Sequence, residues 1–249
     1  MCVRRRTSDV SHPTSNSQVG QKMKVVIKIG GSILVPEEFD TAFAKKLAEK
    51  LKEWSRKHEI AIVIGGGKLS REFGEIGRKI TDDEDFLDLI GIYASRLNAA
   101  MVIASLGNSA CPVIPRSEIE FLEASDKFKG KIIVCGGFRP KQRTDAVAVE
   151  IANEWKADFV IKCTNVDYVY NKDPNKHKDA KPIKELSFEE IKEYADKEHK
   201  ANQPTIMDAV SAAMIAKEKV KVAVLNGKKL ENIEKFLNRE DFKGTRIGF

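Results

Sequence analysis

Ile60-Ala61-Ile62-Val63-Ile64-Gly65-Gly66-Gly67-Lys68 joins an apolar run to three glycines and a lysine. A short apolar run with no polar alternation predicts a strand covered on both faces, as in a parallel sheet. Consecutive glycines let the backbone turn sharply and expose several N–H groups with no Cβ in the way. Leu69-Ser70-Arg71-Glu72-Phe73 has helix-forming character, so the glycines fall where a strand hands over to a helix N-terminus. Such a junction is a natural seat for phosphate. Alone, it also reads as an ordinary tight turn. The pattern recurs, however: Gly30-Gly31-Ser32 follows Val25-Val26-Ile27-Lys28-Ile29, and Gly136-Gly137 follows Ile132-Ile133-Val134-Cys135. Three glycine turns after three buried strands predict one shared anion site.

The chain's 249 residues suit one large α/β domain or two closely joined lobes. Apolar residues at 42% and charged residues at 32% describe a globular protein. No uninterrupted apolar run is long enough to cross a bilayer, which argues against a membrane protein. The net charge of +6 suits anionic ligands, but the charges are scattered along helices rather than blocked, so nothing specific favours nucleic acid. Cys2, Cys111, Cys135 and Cys163 lie far apart, without metal-type spacing, and fit a reducing, cytoplasmic setting. His12, His58, His177 and His199 stand in polar surroundings and are expected on the surface, with no His-based catalytic or metal site.

Residues 1–22 are polar and Ser-rich, with Arg4-Arg5-Arg6 and no apolar core after them, and are expected to be a disordered extension. Met23 directly precedes the first strand. A helix is predicted from about Asp40 to Lys57, with Phe39 stapling its start. A longer helix follows from about Asp85 to Ser105, with Phe86, Leu89, Tyr93 and Leu97 along one stripe. Pro112-Val113-Ile114-Pro115 reads as a short strand, followed by a helical segment over 118–124. A helix over 145–155, a strand over 159–163 and a loop or hairpin over 165–184 come next. Ser187-Phe188-Glu189-Glu190 is a capping-box pattern that should open a helix. Helices over 207–217 and 229–237 and strands over 220–225 and 245–247 complete the chain. The alternation predicts an α/β fold, a three-layer αβα sandwich around a central, mostly parallel sheet.

Standard phosphate motifs fail. Leu69 stands where a P-loop needs Ser or Thr, and Ile62 where it needs its first glycine. A dinucleotide fingerprint is matched only weakly, with Ser70 at its third position and no strand ending in Asp or Glu about 20 residues later. What remains is a site built from several strand ends, supplied with Lys28, Lys68, Arg71 and Lys162. Phosphoryl transfer asks mainly for positioning and charge neutralisation. An acceptor that is already a phosphate or carboxylate needs no general base. Lys28 and Lys162 each interrupt an otherwise apolar strand, which favours a functional role over a lip position. Asp145, at a helix start, can either cap that helix or orient a lysine or magnesium ion.

Lys28-Ile-Gly-Gly-Ser32, Ile64-Gly-Gly-Gly-Lys-Leu-Ser-Arg71 and Thr164-Asn-Val-Asp167, with Tyr170 and Asp173-Pro174, resemble the amino acid kinase superfamily. Phe86-Leu-Asp-Leu-Ile-Gly-Ile-Tyr-Ala-Ser-Arg-Leu-Asn98 and Gly136-Gly-Phe-Arg-Pro140 resemble its archaeal-type uridylate (UMP) kinases. The similarity runs from about Met23 to Phe249. It implies ATP-dependent, magnesium-assisted conversion of UMP to UDP in pyrimidine nucleotide biosynthesis, by a homo-oligomer that is usually hexameric. It places an acceptor-binding part up to about residue 155 and an ATP-binding part after it. It gives catalytic roles to Lys28, Asp145 and Lys162. Gly31, Ser32, Gly67, Arg71, Thr164, Asn165, Tyr170 and Asp173 would serve ATP. Gly66, Asp88 and the loop of Phe138, Arg139, Pro140, Lys141, Gln142, Arg143 and Thr144 would hold UMP. No metal ligand is implied, because magnesium would ride on the ATP phosphates.

Departures from that pattern are also visible. Tyr168 stands where the family usually has glycine, and Pro140-Lys-Gln-Arg-Thr144 replaces a Pro-Gly-x-Thr-Thr type of loop. A kinase of another small phosphate or carboxylate acceptor, or a nucleotide-binding sensor without turnover, would share the fold. An isopentenyl phosphate kinase would usually carry a histidine just after the triple glycine, where this chain has Lys68-Leu-Ser-Arg71.

Overall fold

The computed structural model describes residues 22–172, 174, 176–195 and 207–249. The extension expected over residues 1–22 lies, apart from Lys22, outside the described residues, as does Asp173. In chain order the first half contains β1 (Lys24–Ile29), α1 (Gly31–Leu34), α2 (Thr41–Ser55), β2 (Glu59–Ile64), α3 (Gly67–Gly77), α4 (Glu84–Leu106) and α5 (Glu118–Lys127). Then come β3 (Ile133–Cys135), α6 (Thr144–Glu154), β4 (Phe159–Thr164), a hairpin of β5 (Val169–Tyr170) with β6 (Pro182–Ile183), and β7 (Glu185–Leu186). α7 (Ala209–Glu218), β8 (Val222–Asn226), α8 (Leu230–Leu237) and β9 (Thr245–Ile247) follow.

The main sheet has the order β3-β2-β1-β4-β8-β9-β7 and is parallel except between β8 and β9. Because side chains alternate along a strand, each central strand feeds two cores. Val25, Ile27, Ile29, Ile60, Ile62, Ile64 and Ile161 face one core, with α1, α2, α8 and part of α4. Val26, Ala61, Val63, Val160, Val222 and Val224 face the other, with α5, α6 and α7. Both faces are covered, so the strands show no polar alternation. The architecture is the expected αβα sandwich. Fully buried residues such as Ile62 each contribute about 1.5–3 kcal/mol relative to an exposed position.

Local signals account for the helix starts. Asp40 accepts a hydrogen bond from the Phe43 N–H (2.9 Å) and caps α2, which buries Ala44, Leu47, Leu51 and Trp54. Asp83 caps α4 in the same way. Phe39 packs against the first core, as expected of a staple.

Several expectations are corrected. Pro112–Pro115 is not a strand. The chain touches the sheet edge only at Ala110, bridged to Ile132, with Cys111 N–H donating to the Ile132 carbonyl. Pro112 then has no N–H to continue the ladder. The Ser187 capping box forms, with reciprocal bonds to Glu190 (2.7 and 3.2 Å), but it opens only a 3-10 turn over Glu190–Tyr194. Ile191 is the one buried residue of that turn, too little apolar surface to anchor a longer helix. His58 is buried in the turn between α2 and β2, contrary to its expected surface position, while His177 is exposed. Cys111, Cys135 and Cys163 are buried free thiols.

α4 gives the most informative correction. By length and composition it could cross a bilayer, with a hydropathy of 1.5 over the segment Glu84–Ser109. Here it packs on α2, α3, β2 and β3. Its inner face is Leu87, Ile92, Ala94, Ser95, Asn98, Ala99 and Val102, whereas Phe86, Tyr93 and Leu97, the stripe read from the sequence, are exposed. The small residues allow close approach to the sheet, so they take the inner side.

Candidate active site

Parallel strands begin together and end together, so the loops after β1, β2, β3, β4 and β8 collect at one edge of the sheet. This carboxyl edge is where open α/β sheets place their ligands. Lys28 and Lys162 are register partners on β1 and β4, so they point to the same face, that of α6 and α7. Both are buried, at 8% and 3% exposure. α6 runs beneath them and brings Asp145 between the two ammonium groups. Asp145 Oδ1 lies 3.1 Å from Lys28 Nζ and also pairs with Lys162 Nζ. The cap position of α6 is Arg143, with no side-chain capping bond. Asp145 is therefore an orienter of lysines and not a helix cap.

Charge in this cluster is strongly perturbed. Burial pushes the Asp145 carboxyl up, but the ammonium groups of Lys162 and Lys28 outweigh it and hold the group well below the usual carboxylate range. Lys162 is pushed down to about 8, first by burial and also by the charge of Lys28, against the pull of Asp145. Asp208, buried at the start of α7, also favours the protonated lysine. Its carboxylate is held by the Ser211 N–H (2.9 Å) and the Ser211 hydroxyl.

The glycine loops follow β1, β2 and β3 at the same edge of the sheet. A Cβ on Gly31 would overlap the backbone nitrogen of Gly67, and one on Gly67 would lie 2.6 Å from the Gly31 carbonyl oxygen. Gly67 also adopts a left-handed φ of +64°. The loops after β1 and β2 thus meet backbone to backbone, a contact only glycine permits. α4 ties the third loop to them. Asn98 Nδ2 donates to the carbonyls of Gly65 and Gly66, both at 3.0 Å. Ser95 Oγ accepts from the Gly137 N–H (2.7 Å), and Arg96 donates to the carbonyls of Gly137 and Phe138. The loops after β2 and β3 therefore share α4 as a common spine, and the loop after β1 joins it at Gly67. Sequence reasoning gave Ser95, Arg96, Asn98 and Asp208 no roles. For Ser95 and Asn98 the available signal was polar residues at i and i+3 inside an apolar helix.

On the β4–β8 side, Asn165 Nδ2 donates to Ser32 Oγ (3.1 Å), and Asn226 Nδ2 donates to the Asn165 carbonyl. Ser32, Pro36, Asn165, Asn226, Lys228 and Lys229 line an open cavity of about 370 Å³. Thr164 Oγ1 shapes the following turn by bonding to Val166. Tyr170 lies on the hairpin beyond, edge-on to Tyr168 at 6.2 Å. Tyr168 itself needs no left-handed backbone. Arg71 is half-buried one turn into α3, whereas Lys68 is taken up by Glu37 and Glu72.

On the β3–α6 side, the loop 138–144 is fastened to its surroundings. The Lys141 N–H donates to Asp88 Oδ2 (2.7 Å), and Lys141 Nζ pairs with Asp85 (2.9 Å). Lys141 has φ +62°, a conformation that favours glycine, which explains why this loop type usually carries glycine there. Arg139 pairs with Glu150 (2.7 Å) and Glu118 (3.4 Å), and Gln142 donates to Glu150. Arg139 and Gln142 thus anchor the loop to α5 and α6. Phe138 is buried, Pro140 and Arg143 are half-buried, and Thr144 opens α6.

Glycine loops, helix starts and paired lysines at the carboxyl edge of a parallel sheet define an α/β protein for handling phosphoryl groups. The chain belongs to the amino acid kinase family, whose sequence signature matches residues 23–226. It is 39% identical over 226 residues to the uridylate kinase of Methanobrevibacter smithii, covering 90% of this chain and 99% of that protein. It is 41% identical over 223 residues to the uridylate kinase of Methanocaldococcus jannaschii, covering 86% and 96%. The crystal structure of uridylate kinase from Archaeoglobus fulgidus superposes with a TM-score of 0.79 at 34% identity, covering 90% of this chain and 100% of that one.

Proposed function

We infer that this protein is an ATP-dependent UMP kinase, which transfers the γ-phosphoryl group of ATP to the phosphate of UMP and releases ADP and UDP. UDP then feeds pyrimidine nucleotide synthesis. The observation that carries the reading is the buried Lys28–Asp145–Lys162 cluster at the meeting point of the glycine loops. The names of the relatives above support the choice of acceptor.

In the proposed mechanism, an oxygen of the UMP phosphate attacks the γ-phosphorus as its bond to the β–γ bridging oxygen breaks. UMP's phosphate is ionised near neutral pH, so no side chain need remove a proton. Lys28 and Lys162 neutralise the charge that spreads over the transferred group, and Asp145 keeps both ammonium groups in place. Gly31, Ser32, Gly67, Arg71, Thr164, Asn165 and Tyr170 serve ATP in this reading, together with Asp173 outside the described residues. Gly66, Asp88 and the loop 138–144 receive UMP. The part up to about residue 155 then holds the acceptor and the part after it the donor.

Magnesium would be carried by the ATP phosphates and would supply charge neutralisation there. Among the described residues no cluster of three or more His, Cys, Asp or Glu side chains can hold a metal, and Asp145 is already committed to two lysines. A homo-oligomer, hexameric by family resemblance, fits the exposed apolar side chains Phe73, Ile76, Phe86, Tyr93, Leu97 and Met101 on α3 and α4. A cytoplasmic location agrees with the buried free thiols.

The test is a panel of nucleoside monophosphates and small acids offered as acceptors with ATP and magnesium. UMP should be phosphorylated in preference to CMP and AMP. Preference for a different acceptor would overturn the substrate, and nucleotide binding without turnover of any acceptor would mark a sensor.

A further inference from the structure

A second cavity, of about 610 Å³, opens at the opposite edge of the sheet. It lies among the first residues of β1 and β2, the turn between α5 and β3, and the last turn of α6. Along β1, four residues, or about 13 Å, separate Lys24 in its wall from Lys28 of the lysine cluster. None of its lining residues belongs to the glycine loops or to Lys28, Asp145 and Lys162. Its volume falls within the usual range for small-molecule sites.

The charge of its walls specifies what it would take. Lys22, Lys24, Lys129, Lys131 and Lys156 line it, against the carboxylates of Glu59, Asp126 and Glu154. Glu59 is paired with Lys22 (3.4 Å), so the rest of the wall keeps an excess of positive charge. Lys24 is held rigidly: its Nζ donates to the Trp155 carbonyl (3.3 Å) and lies 5.2 Å from the centre of the Trp155 ring. His58, nine-tenths buried in the same wall, has an Nδ1 with no hydrogen-bond partner among the described residues. Burial and the charge of Lys57 keep its imidazole below the ordinary histidine pKa.

We propose that this cavity is a second anion site, which binds a multiply charged phosphorylated small molecule away from the catalytic centre. Lys24, Lys129, Lys131 and Lys156 come from three segments of the chain and can surround one polyphosphate group; Lys131 Nζ also donates to the Asn108 carbonyl behind the wall. The recognised chemistry is the phosphate chain, whether free or carried by a nucleotide.

Trp155 reports on the cavity directly, because Trp54 is the only other tryptophan and lies in the first core. In the full chain carrying Trp54→Phe, titration with inorganic tripolyphosphate and, separately, with a non-hydrolysable ATP analogue should give a saturable change in Trp155 emission. Lys129→Glu alone should weaken this binding at least tenfold, and Lys129→Glu with Lys131→Glu should abolish it, while UDP formation without the probe stays within twofold of the parent. A response to both probes assigns recognition to the phosphate chain; a response to the analogue alone adds the nucleoside to it. No saturable change with either probe would overturn the proposal. So would a change that survives the lysine substitutions, or one that Lys28→Ala abolishes instead.

Discussion

The catalytic role proposed for Lys162 predicts that the activity of this kinase depends on pH in a definite direction. Its ammonium group is pushed down to about 8 by burial and by Lys28, with Asp145 opposing. The role proposed for it requires the charged form, so activity should be intact below that value and lost as pH rises through it. kcat/KM reports the free enzyme. One unit above its pKa only about a tenth of a group stays protonated, so kcat/KM for UMP should be about tenfold lower near pH 9 than at its plateau. kcat reports the enzyme with substrates bound. Phosphates beside Lys162 favour its charged form, so the same limb in kcat should sit at higher pH. Lys162→Arg supplies the control, because a guanidinium stays protonated throughout. Whatever activity that variant retains should lack the alkaline limb. The measurement is coupled UDP formation from pH 6 to 10, with stability checked at each pH. A wild-type kcat/KM flat to pH 10, or an unchanged limb in Lys162→Arg, would refute the reasoning.

Other substitutions probe the same construction. Asp145→Asn leaves two buried ammonium groups facing each other, and loss of one partner from a buried pair costs about 3–5 kcal/mol. Denaturant titration and the UDP assay should both register that loss; parental stability would mean that the three residues are not one charge unit. Gly31→Ala places a methyl group on the Gly67 nitrogen, so both melting temperature and turnover should fall, and an unchanged melting curve would contradict the loop contact. Asn98→Ala removes the donor to Gly65 and Gly66. The buried Gly65 carbonyl then loses its partner at about 1–3 kcal/mol, while the half-buried Gly66 carbonyl keeps the Ser70 N–H; the loss is to be read from the shift in denaturation midpoint. Asp88→Ala should raise KM for UMP more than it lowers kcat, since it removes the proposed ribose contact and releases the Lys141 N–H. An unchanged KM would remove Asp88 from the acceptor site.

Much of this architecture was legible in the chain because parallel strands announce themselves. β1, β2, β3 and β4 are buried on both faces, which leaves apolar runs in which Lys28 and Lys162 stand out. That the two lysines are register partners depends on strand order, which local patterns do not contain. Asp145 was equally readable as a cap or an orienter, since both readings put an acid in the first turn of a helix. α4 misled because it is apolar on two sides, and only packing decided that Ala94, Ser95 and Asn98 face inward. β7 has two residues, too few to carry a periodicity. His58 sits among charged neighbours, yet the tight turn after α2 folds it inward.

The charge balance of the site gives its chemistry a direction. Two ammonium groups share one carboxylate, and Asp208 is spent on Ser211 while it assists Lys162 from the side. The free site is thus short of negative charge, which adds to burial in pushing Lys162 down. A phosphate entering between the glycine loops supplies that charge and raises the proton affinity of Lys162. Asp145 already holds both ammonium groups in place, so in the proposed reaction the help from the lysines grows as charge spreads over the transferred group. A nearer carboxylate would fully satisfy the lysines in the free enzyme and weaken that gain. Leaving the cluster underneutralised costs stability, and the backbone contact between Gly31 and Gly67 keeps the site closed around it.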